Sequence, residues 1–252
     1  MSVSSAGLML ITGGSRGIGA ATARLAAKAG YELAINYHSH DQAALALQAE
    51  LREAGTRVHL LRADLRDEAA IVEMFAACDA EFGALSVLVN NAAILAPQSD
   101  LIGIDTTRLQ SIFSTNVFAP FICAREAVRR MSSRFGGRGG AIVNVSSIAA
   151  RLGSANEYID YAASKAALDT MTLGLAREVA DQGIRVNAVR AGLVHTEIHA
   201  SGGEPNRVQR LQHTIPLQRG AEPQEIAEAI LWLASPAASY CTGSILDVAG
   251  GK

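Results

Sequence analysis

Tyr161 and Lys165 stand four residues apart in the stretch YAASKAALDTMTLGLAREV, where alanine and leucine recur at helical spacing. Side chains at positions i and i+4 share one face of a helix, so this spacing predicts that the phenol and the ammonium enter the same space. A phenol held there can act as a general acid or base on a bound molecule. The same spacing is also common on solvated helices, so the pair alone does not establish a site.

Such chemistry requires a large change in the pKa of the phenol. A free tyrosine titrates near pH ~10, and acid–base work near neutrality requires a fall of about three units, roughly 4 kcal/mol. An exposed ion pair contributes only about 0–1 kcal/mol, so a solvated lysine is insufficient, whereas a desolvated lysine helped by a second cation is adequate. Ser147, fourteen residues before Tyr161, ends the apolar run AIVNVSS and is a second candidate for the site.

The elements that position these residues follow from the alternation of short apolar runs with amphipathic stretches. Runs such as AIVNV and SVLVN lack polar alternation, as do parallel strands that are covered on both faces. The pattern predicts strands at about 8–12, 31–36, 57–62, 85–90, 141–146, 184–190 and 244–248, and helices near 17–29, 41–54, 67–82, 105–134, 158–181 and 222–235. We therefore expect a Rossmann-type α/β fold, a doubly wound parallel seven-stranded sheet with helices on both faces, in a single domain over residues 1–252.

Composition and charge exclude several classes of partner. The net charge of −2 gives no reason to expect nucleic acid or an anionic membrane, and no apolar run reaches the ~18 residues of a membrane span. Cys78, Cys123 and Cys241 have neither metal-ligand nor CxxC spacing, so we expect no metal and reduced thiols. The start, MSVSSAGLMLITGG, has no basic segment and predicts a first strand instead of a signal peptide. These features predict a cytoplasmic protein.

A glycine-rich loop, TGGSRGIG at 12–19, lies between the first predicted strand and the first predicted helix. Glycines allow a tight turn and close approach to a pyrophosphate, and the following helix N-terminus presents free amides to phosphate. The spacing Gly-x-x-x-Gly-x-Gly differs from the common Gly-x-Gly-x-x-Gly fingerprint, but the position between strand and helix predicts a dinucleotide. An oxidised nicotinamide would supply the second positive charge that the phenol requires.

The second predicted strand favours NADP(H) over NAD(H). NAD sites usually have an acid at the end of this strand for the ribose 2′-hydroxyl, whereas this one ends in Asn36, Tyr37 and His38. Arg16 and His38 are predicted to face a 2′-phosphate instead. Asp41 is nearby, but its position before QAALALQAEL predicts a helix N-cap. NAD(H) remains the alternative.

Together these motifs resemble the short-chain dehydrogenase/reductase family in its short, single-domain form, over nearly the whole chain. Besides the glycine loop, the matching segments are Asp64-Leu65, Asn90-Asn91-Ala92-Ala93, Asn116 within STNV, Ser147 with Tyr161 and Lys165, Asn187 within RVNAV, and Thr196. The resemblance implies that the catalytic residues are Asn116, Ser147, Tyr161 and Lys165, and that the backbone carbonyl of Asn116 holds a water for proton relay. The loop and the resemblance together indicate cofactor contacts at Gly13, Ser15, Arg16, Gly17, Ile18, Gly19, Asn36, Tyr37, His38, Asp64, Leu65, Asn91, Ala92, Ala93, Tyr161, Lys165, Gly192, Val194 and Thr196.

The chain departs from the family pattern at two positions near the cofactor. Ala93 replaces a glycine, and Ala191 replaces the proline before Gly192. Neither position carries a catalytic atom, so altered cofactor fit or loop mobility is expected. Ser146 and Tyr158 resemble catalytic residues in type but fall out of register, and Tyr158 is interpreted as packing or as a wall of the substrate pocket.

The resemblance implies hydride transfer between NADP(H) and a small carbonyl or alcohol substrate, with Tyr161 as acid and base. Sugar-dehydrogenase-like and ketoacyl-reductase-like substrates are both consistent with it. Candidate pocket walls are 94–98, 148–158 and 193–210, with His195, His199 and Glu204 as candidate partners of a polyol. A fold-retaining binding or regulatory protein is the alternative, and a sugar-nucleotide epimerase or dehydratase is disfavoured by the short stretch after Asn187.

Two further expectations concern mobility and assembly. Residues 191–221 have no clear element and contain Gly202 and Gly203, so a substrate lid is predicted at about 193–215. A homotetramer is predicted from the resemblance, with Ile122 and Met171 as candidate outward apolar residues of the two longest helices.

Overall fold

The strands form one sheet at the centre of the molecule. The computed structural model describes residues 6–252, so the first five residues of the predicted domain and of its predicted start lie outside the described residues. The strands are β1 (Leu8–Ile11), β2 (Glu32–Tyr37), β3 (Val58–Arg62), β4 (Leu85–Asn90), β5 (Gly140–Ser147), β6 (Ile184–Ala191) and β7 (Ile245–Val248). Every neighbouring pair is parallel, in the order β3-β2-β1-β4-β5-β6-β7. The predicted seven-stranded, doubly wound parallel sheet is confirmed.

Helices cover both faces of this sheet. They are α1 (Gly17–Lys28), α2 (Asp41–Glu53), α3 (Glu68–Phe82), α4 (Thr106–Phe113), α5 (Ala119–Met131), α6 (Ala149–Leu152), α7 (Ile159–Val179), α8 (Ile198–Ser201), α9 (Arg207–Leu211) and α10 (Pro223–Ala234). Successive strand residues point to opposite faces, so Leu8 and Leu10 join the core formed with α3, α5 and α7. Met9 and Ile11 join the core formed with α1, α2 and α10. This double burial explains why the strands lack polar alternation.

The predicted helix over 105–134 is interrupted. The chain forms α4, then a π-helical turn over Ser114–Phe118, and then α5. Pro120 has no N–H to offer the carbonyl of Asn116, four residues earlier, so a regular α-helix cannot continue through this point. Such π turns inside helices are frequent at functional sites.

Two smaller expectations also need correction. Asp41 is the first residue of α2 and not its N-cap; its carboxylate lies 3.6 Å from the guanidinium of Arg62. The stretch 191–221 is not free of structure, because it contains α8 and α9.

Among residues 6–252, no helix combines the length and apolar character needed to cross a membrane.

Candidate active site

A cleft of about 510 Å³ opens where the carboxyl ends of the strands meet the loops that follow them. The chain reverses its winding direction between β1 and β4, and ligands of open α/β sheets bind at this switch point. The predicted site residues that line the cleft are Gly13, Ser15, Arg16, Gly17, Ile18, Asn36, Tyr37, His38, Asp64, Leu65, Asn91, Ala92, Ala93, Ser147, Tyr161, Lys165, Gly192, Val194 and Thr196. Gly19 and Asn116 do not line it; both lie behind its wall.

The glycine loop is fixed by contacts from the end of β4. Thr12 Oγ1 accepts hydrogen bonds from the backbone N–H groups of Asn91 and Ala92, and Asn91 Nδ2 donates to the carbonyl of Gly13 at 2.9 Å. A Cβ atom at Gly19 would lie 2.5 Å from the Gly13 carbonyl oxygen, so only glycine fits there. Gly19 therefore shapes the loop from behind and does not contact the cleft.

The N-terminus of α1 is available to an anion. No side chain caps it, and its first turn has no acidic residue. The first amides of a helix have no partner inside the helix and attract phosphate. The cleft therefore presents free helix amides of the kind that the predicted pyrophosphate site requires.

At the end of the cleft away from Tyr161, Asn36 supports the protein structure instead of facing the cleft freely, which the sequence does not reveal. Its side chain is buried; Oδ1 accepts from the N–H of Gly13, and Nδ2 donates to the carbonyls of Leu61 and Ala63. Neighbouring strand residues point in opposite directions, so Tyr37 is the residue at the end of β2 whose side chain is free to meet a ribose. Asn36 ties the glycine loop to the end of β3.

The charge balance at this end depends on an arginine that sequence reasoning missed. Arg66 lines the cleft and forms a two-pronged ion pair with Asp64, which lowers the pKa of that carboxyl to about 2. His38 Nε2 lies 3.8 Å from the same carboxylate. Arg16 has no ion-pair partner within residues 6–252. The Asp64 charge is thus balanced by Arg66, whereas Arg16 forms no ion pair within the described residues.

Tyr161, Ser147 and Lys165 meet at the floor of the cleft. Ser147 is the last residue of β5, and its hydroxyl faces Tyr161. Lys165 Nζ lies 5.6 Å from the centre of the Tyr161 ring and donates to the carbonyl of Val145 at 2.8 Å. The face shared by positions i and i+4 of α7 therefore brings the phenol and the ammonium together as the spacing predicts.

The expected lowering of the tyrosine pKa is not present in the protein without cofactor. Burial raises the pKa of Tyr161 to about 12, and the Ser147 hydroxyl opposes this rise. Burial also lowers the pKa of Lys165 to about 8. Burial thus favours the neutral phenol, and further positive charge in the cleft would be required to lower its pKa.

Two contacts hold the first turn of α7 in place. Asp160 accepts the backbone N–H of Tyr161 at 2.9 Å and pairs with Arg108 Nε at 2.6 Å. Arg108 also donates to the carbonyl of Pro97, so it connects α4 and the 97 loop to the residue beside the phenol. The 52-residue separation within this pair gives no signal in the sequence.

Asn116 occupies the π-helical turn and connects it to the same floor. Its side chain, fully buried, bonds both the N–H and the carbonyl of Ile94, at 2.9 and 3.0 Å, and donates to Ser164 Oγ. Because Pro120 has no backbone N–H, the backbone carbonyl of Asn116 lacks the hydrogen-bond donor that a regular α-helix would provide. This geometry suits the water-holding role that the resemblance implies.

The remaining part of the cleft, beside Tyr161, is the predicted substrate pocket and has mainly apolar walls. Its lining residues in the three predicted wall segments and α9 include Ile94, Leu95, Ile148, Leu152, Tyr158, Leu193, Ile198, His199, Arg207 and Leu211. His195 and Glu204 do not line it, contrary to their suggested role as polyol partners. Burial lowers the pKa of His199, whose Nε2 lies 2.9 Å from the Val194 carbonyl.

Arg207 closes this pocket through a cluster of charges, here called the lid clasp: Glu157, Glu204, Arg207 and Arg210. Arg207 bonds Glu157 at 2.5 Å and Glu204 at 2.8 Å, and its guanidinium lies 4.8 Å from the centre of the Tyr158 ring. Arg210 pairs with both glutamates as well. Tyr158, buried beneath Arg207, both packs and lines the pocket.

Comparison with known proteins decides the family. The family model described as enoyl-(acyl carrier protein) reductase matches residues 13–252. A short chain dehydrogenase from Burkholderia cenocepacia J2315, solved in complex with NADP, superposes with a TM-score of 0.88 at 30% identity and covers 96% of both chains. The chain belongs to the short-chain dehydrogenase/reductase family.

This short-chain dehydrogenase/reductase also has similar relatives among characterised and uncharacterised bacterial proteins. The uncharacterized oxidoreductase YgfF of Escherichia coli K12 is 54% identical over 97% of this chain and 99% of its own length. The cis-4-hydroxycyclohexanecarboxylate dehydrogenase of Sinomonas cyclohexanicum is 40% identical over 96% of this chain and 94% of its own length. The coverage at full length makes this chain an oxidoreductase of the family's short type, as the resemblance implies.

Proposed function

We propose that this chain is an NADP(H)-dependent oxidoreductase that reduces a ketone or aldehyde, or oxidises a secondary alcohol, by hydride transfer. One observation carries the proposal: Ser147, Tyr161 and Lys165 converge on the floor of a cleft that joins an uncapped helix N-terminus to an apolar pocket. The nucleotide end and the reacting end are thus parts of one continuous space. When bound, the dinucleotide supplies the hydride and, in its oxidised form, a positive charge.

The side chains at the floor divide the proton chemistry between them. Tyr161, kept protonated by burial, donates its proton to the carbonyl oxygen during reduction. Ser147 donates a hydrogen bond to the same oxygen and stabilises its developing negative charge. Lys165 holds the ribose beside the nicotinamide, and the carbonyl of Asn116 holds the water that returns a proton to Tyr161.

The preference for NADP(H) is supported by the charges at the end of β2. Arg16 forms no ion pair within the described residues, and Asp64 is neutralised by Arg66, so no free carboxylate faces a ribose there. A 2′-phosphate requires such positive charge, whereas NAD sites usually present an acid. The solved relative from Burkholderia that was crystallised with NADP is in agreement.

The walls of the pocket favour a substrate with an apolar body. Ile148, Leu152 and Leu211 face this space, and Arg207, which also lines it, is already paired with two glutamates. A hydroxycyclohexane carboxylate, the substrate named for the Sinomonas relative, has such a body. We therefore expect cyclic or acyclic aliphatic ketones to be better substrates than polyols.

The direct test is NADPH oxidation against a panel of ketones, aldehydes and sugars, followed at 340 nm. Turnover of an apolar ketone supports the proposal. A folded protein that binds NADPH and reduces no member of the panel would indicate the alternative, a binding or regulatory protein. An epimerase would act on sugar nucleotides without net NADPH consumption. Residues after Asn187 complete the same sheet through β7 and supply no separate substrate domain within the described part of the chain.

We expect the predicted lid, residues 193–215, to become more protected when NADPH binds. Thr196 lines the cofactor end of the cleft, so the ligand adds contacts to a segment that the lid clasp and the buried Val208 already hold. Hydrogen–deuterium exchange with and without NADPH measures this, with α7 as the internal reference. Equal exchange of 193–215 in both states would show that the lid is preformed.

We expect a homotetramer, but not through the residues that the sequence indicated. Met171 belongs to the buried core and Ile122 packs against it. Phe118 and Phe121 are instead 57% and 50% exposed, with Leu173 of α7 also exposed, and such outward apolar groups are typical of subunit contacts. Light scattering should give the mass of four chains, and Phe121→Asp should reduce it. A monomer at micromolar concentration would contradict this expectation.

A further inference from the structure

A buried carboxylate lies one helical turn beyond the lysine at the floor of the cleft. Asp169 follows Lys165 by four residues on α7, so both side chains occupy the same face of the helix. The exposed fractions of Lys165 and Asp169 are 2% and 5%. Charged groups are almost never this buried unless they are paired.

Asp169 is oriented by a charge on the neighbouring strand. Its Oδ2 accepts a hydrogen bond from Arg190 Nε of β6 at 2.8 Å, and Arg190 Nη1 also lies 3.3 Å from Asp247 Oδ1 of β7. Arg151 of α6 pairs with the other oxygen of Asp247. Asp169 Oδ1 is buried and accepts no hydrogen bond from any residue in the described range. A carboxylate held through one oxygen keeps its charge available to a cation nearby.

The surroundings of Lys165 contain little else that can support its charge. Its own helix presents Tyr161 and Asp169, and β5 presents the Val145 carbonyl with the hydroxyls of Ser146 and Ser147. Arg190 affects Lys165 only indirectly, because its hydrogen bond orients the carboxylate of Asp169. Within residues 6–252, Asp169 is the one charged residue that raises the pKa of Lys165 against the effect of burial.

We infer that Asp169 is a positioning residue for the reaction proposed above: its Arg190-oriented carboxylate keeps Lys165 charged in the dry floor of the cleft. The inference depends on the proposed function only for the meaning of that charge, because Lys165 must be an ammonium to attract the cofactor ribose and a phenolate. Burial brings the pKa of Lys165 down to about 8, so a further fall of about one unit on loss of one supporting charge would leave about half of the amine neutral at neutral pH.

The chain allows a direct measurement because it contains only three lysines, Lys28, Lys165 and Lys252. With [ε-¹³C]lysine, each gives one NMR signal, and a Lys165→Arg variant assigns the signal of interest. In Asp169→Asn the pKa of Lys165 is expected to fall by about one unit or more, since an opposite charge nearby shifts a pKa by about 1–3 units. Arg190→Gln retains the carboxylate of Asp169, so in this variant the pKa of Lys165 should stay at the parental value or rise.

The Lys165 pKa is expected to fall in Asp169→Asn and not in Arg190→Gln. This difference distinguishes electrostatic support of the lysine from a purely structural Asp169–Arg190 ion pair. Both variants break the Asp169–Arg190 bond and should lose stability alike, so equal falls of the Lys165 pKa in both would overturn the inference, as would no fall in Asp169→Asn. Asp169→Glu should restore the parental titration. Asp247→Asn removes the carboxylate on the other side of Arg190 from Asp169 and should leave the pKa of Lys165 unchanged. If Asp169→Asn does not fold, a fall in Arg190→Gln alone would refute the inference, and a rise would support it.

A kinetic measurement separates this inference from the proposed function. In Asp169→Asn the basic limb of kcat/KM for NADPH should move to lower pH by the same interval as the NMR titration, with kcat at pH 6 retained within about threefold. If no carbonyl compound is reduced by the parent protein, the proposed function fails, but the NMR result still decides the relation between Asp169 and Lys165.

Discussion

Replacement of Tyr161 by phenylalanine is expected to lower kcat for ketone reduction by about 10³-fold while NADPH binding changes little. The substitution removes the proton donor and keeps the ring, and positioned acid catalysis contributes about 10²–10⁴-fold. The neutral phenol is the form that donates a proton, and burial favours it by raising its pKa to about 12. Steady-state turnover and NADPH fluorescence titration, run on the same preparation, measure the two quantities separately.

Tyr158→Phe is the matched control for this variant. Its hydroxyl contacts the Gly202 carbonyl at 3.4 Å and the side chain of Gln98, neither of which is a reacting group, and its ring remains available to pack beneath Arg207. Turnover should stay within about threefold of the parent. Retention of most of kcat in Tyr161→Phe, or an equal loss in Tyr158→Phe, would show that the acid has been assigned to the wrong residue.

A carboxylate at the end of β2 is expected to shift cofactor preference toward NAD. In Tyr37→Asp the new charge would repel a 2′-phosphate and accept a hydrogen bond from a 2′-hydroxyl. A difference of about 3 kcal/mol corresponds to a change of about 100-fold in the ratio of kcat/KM for NADPH to that for NADH. Initial rates with each cofactor at a fixed, saturating ketone give this ratio.

Two comparisons make the cofactor experiment specific to charge. Tyr37→Asn removes the ring without adding a charge and should change the ratio by only a few fold. Asn36→Asp places the charge among Gly13, Leu61 and Ala63 instead, where it would lose two donated hydrogen bonds and destabilise the protein. If Tyr37→Asp leaves the ratio unchanged, selectivity does not depend on the end of β2.

The parts of the site that sequence predicted well are those encoded within one turn or one motif. Tyr161 and Lys165 share a helix face, and the glycine loop lies directly between β1 and α1, so spacing and order were sufficient. The direction in which Asn36 points was not predictable in this way. It depends on two carbonyls from β3, whose register relative to β2 is a property of the assembled sheet.

Long-range charge pairs were missed for the same reason. Arg207 and Glu157 are 50 positions apart, and Arg108 and Asp160 are 52 apart; Arg207 lines the pocket, and Asp160 binds the backbone N–H of Tyr161. Charged residues are common in helices and loops, so nothing in their local pattern distinguishes partners from solvated groups. The interruption of the helix at 114–118 did have a local signal, Pro120, whose effect on the carbonyl of Asn116 follows from the missing N–H alone.

The position of β1 inside the sheet, between β2 and β4, has a consequence for how the chain folds. Leu8 pairs with Glu32 on one side and with Leu85 on the other, so the first strand to be synthesised waits for β4 before its second edge is covered. Such long-range parallel pairing is slow, because loop closure must precede the contacts that repay it. The glycine loop also reaches its final shape only when Asn91 and Ala92 dock against Thr12. A dinucleotide therefore binds only chains in which both halves have joined, and at 100 times its Kd it would favour that joined state by about 2.7 kcal/mol.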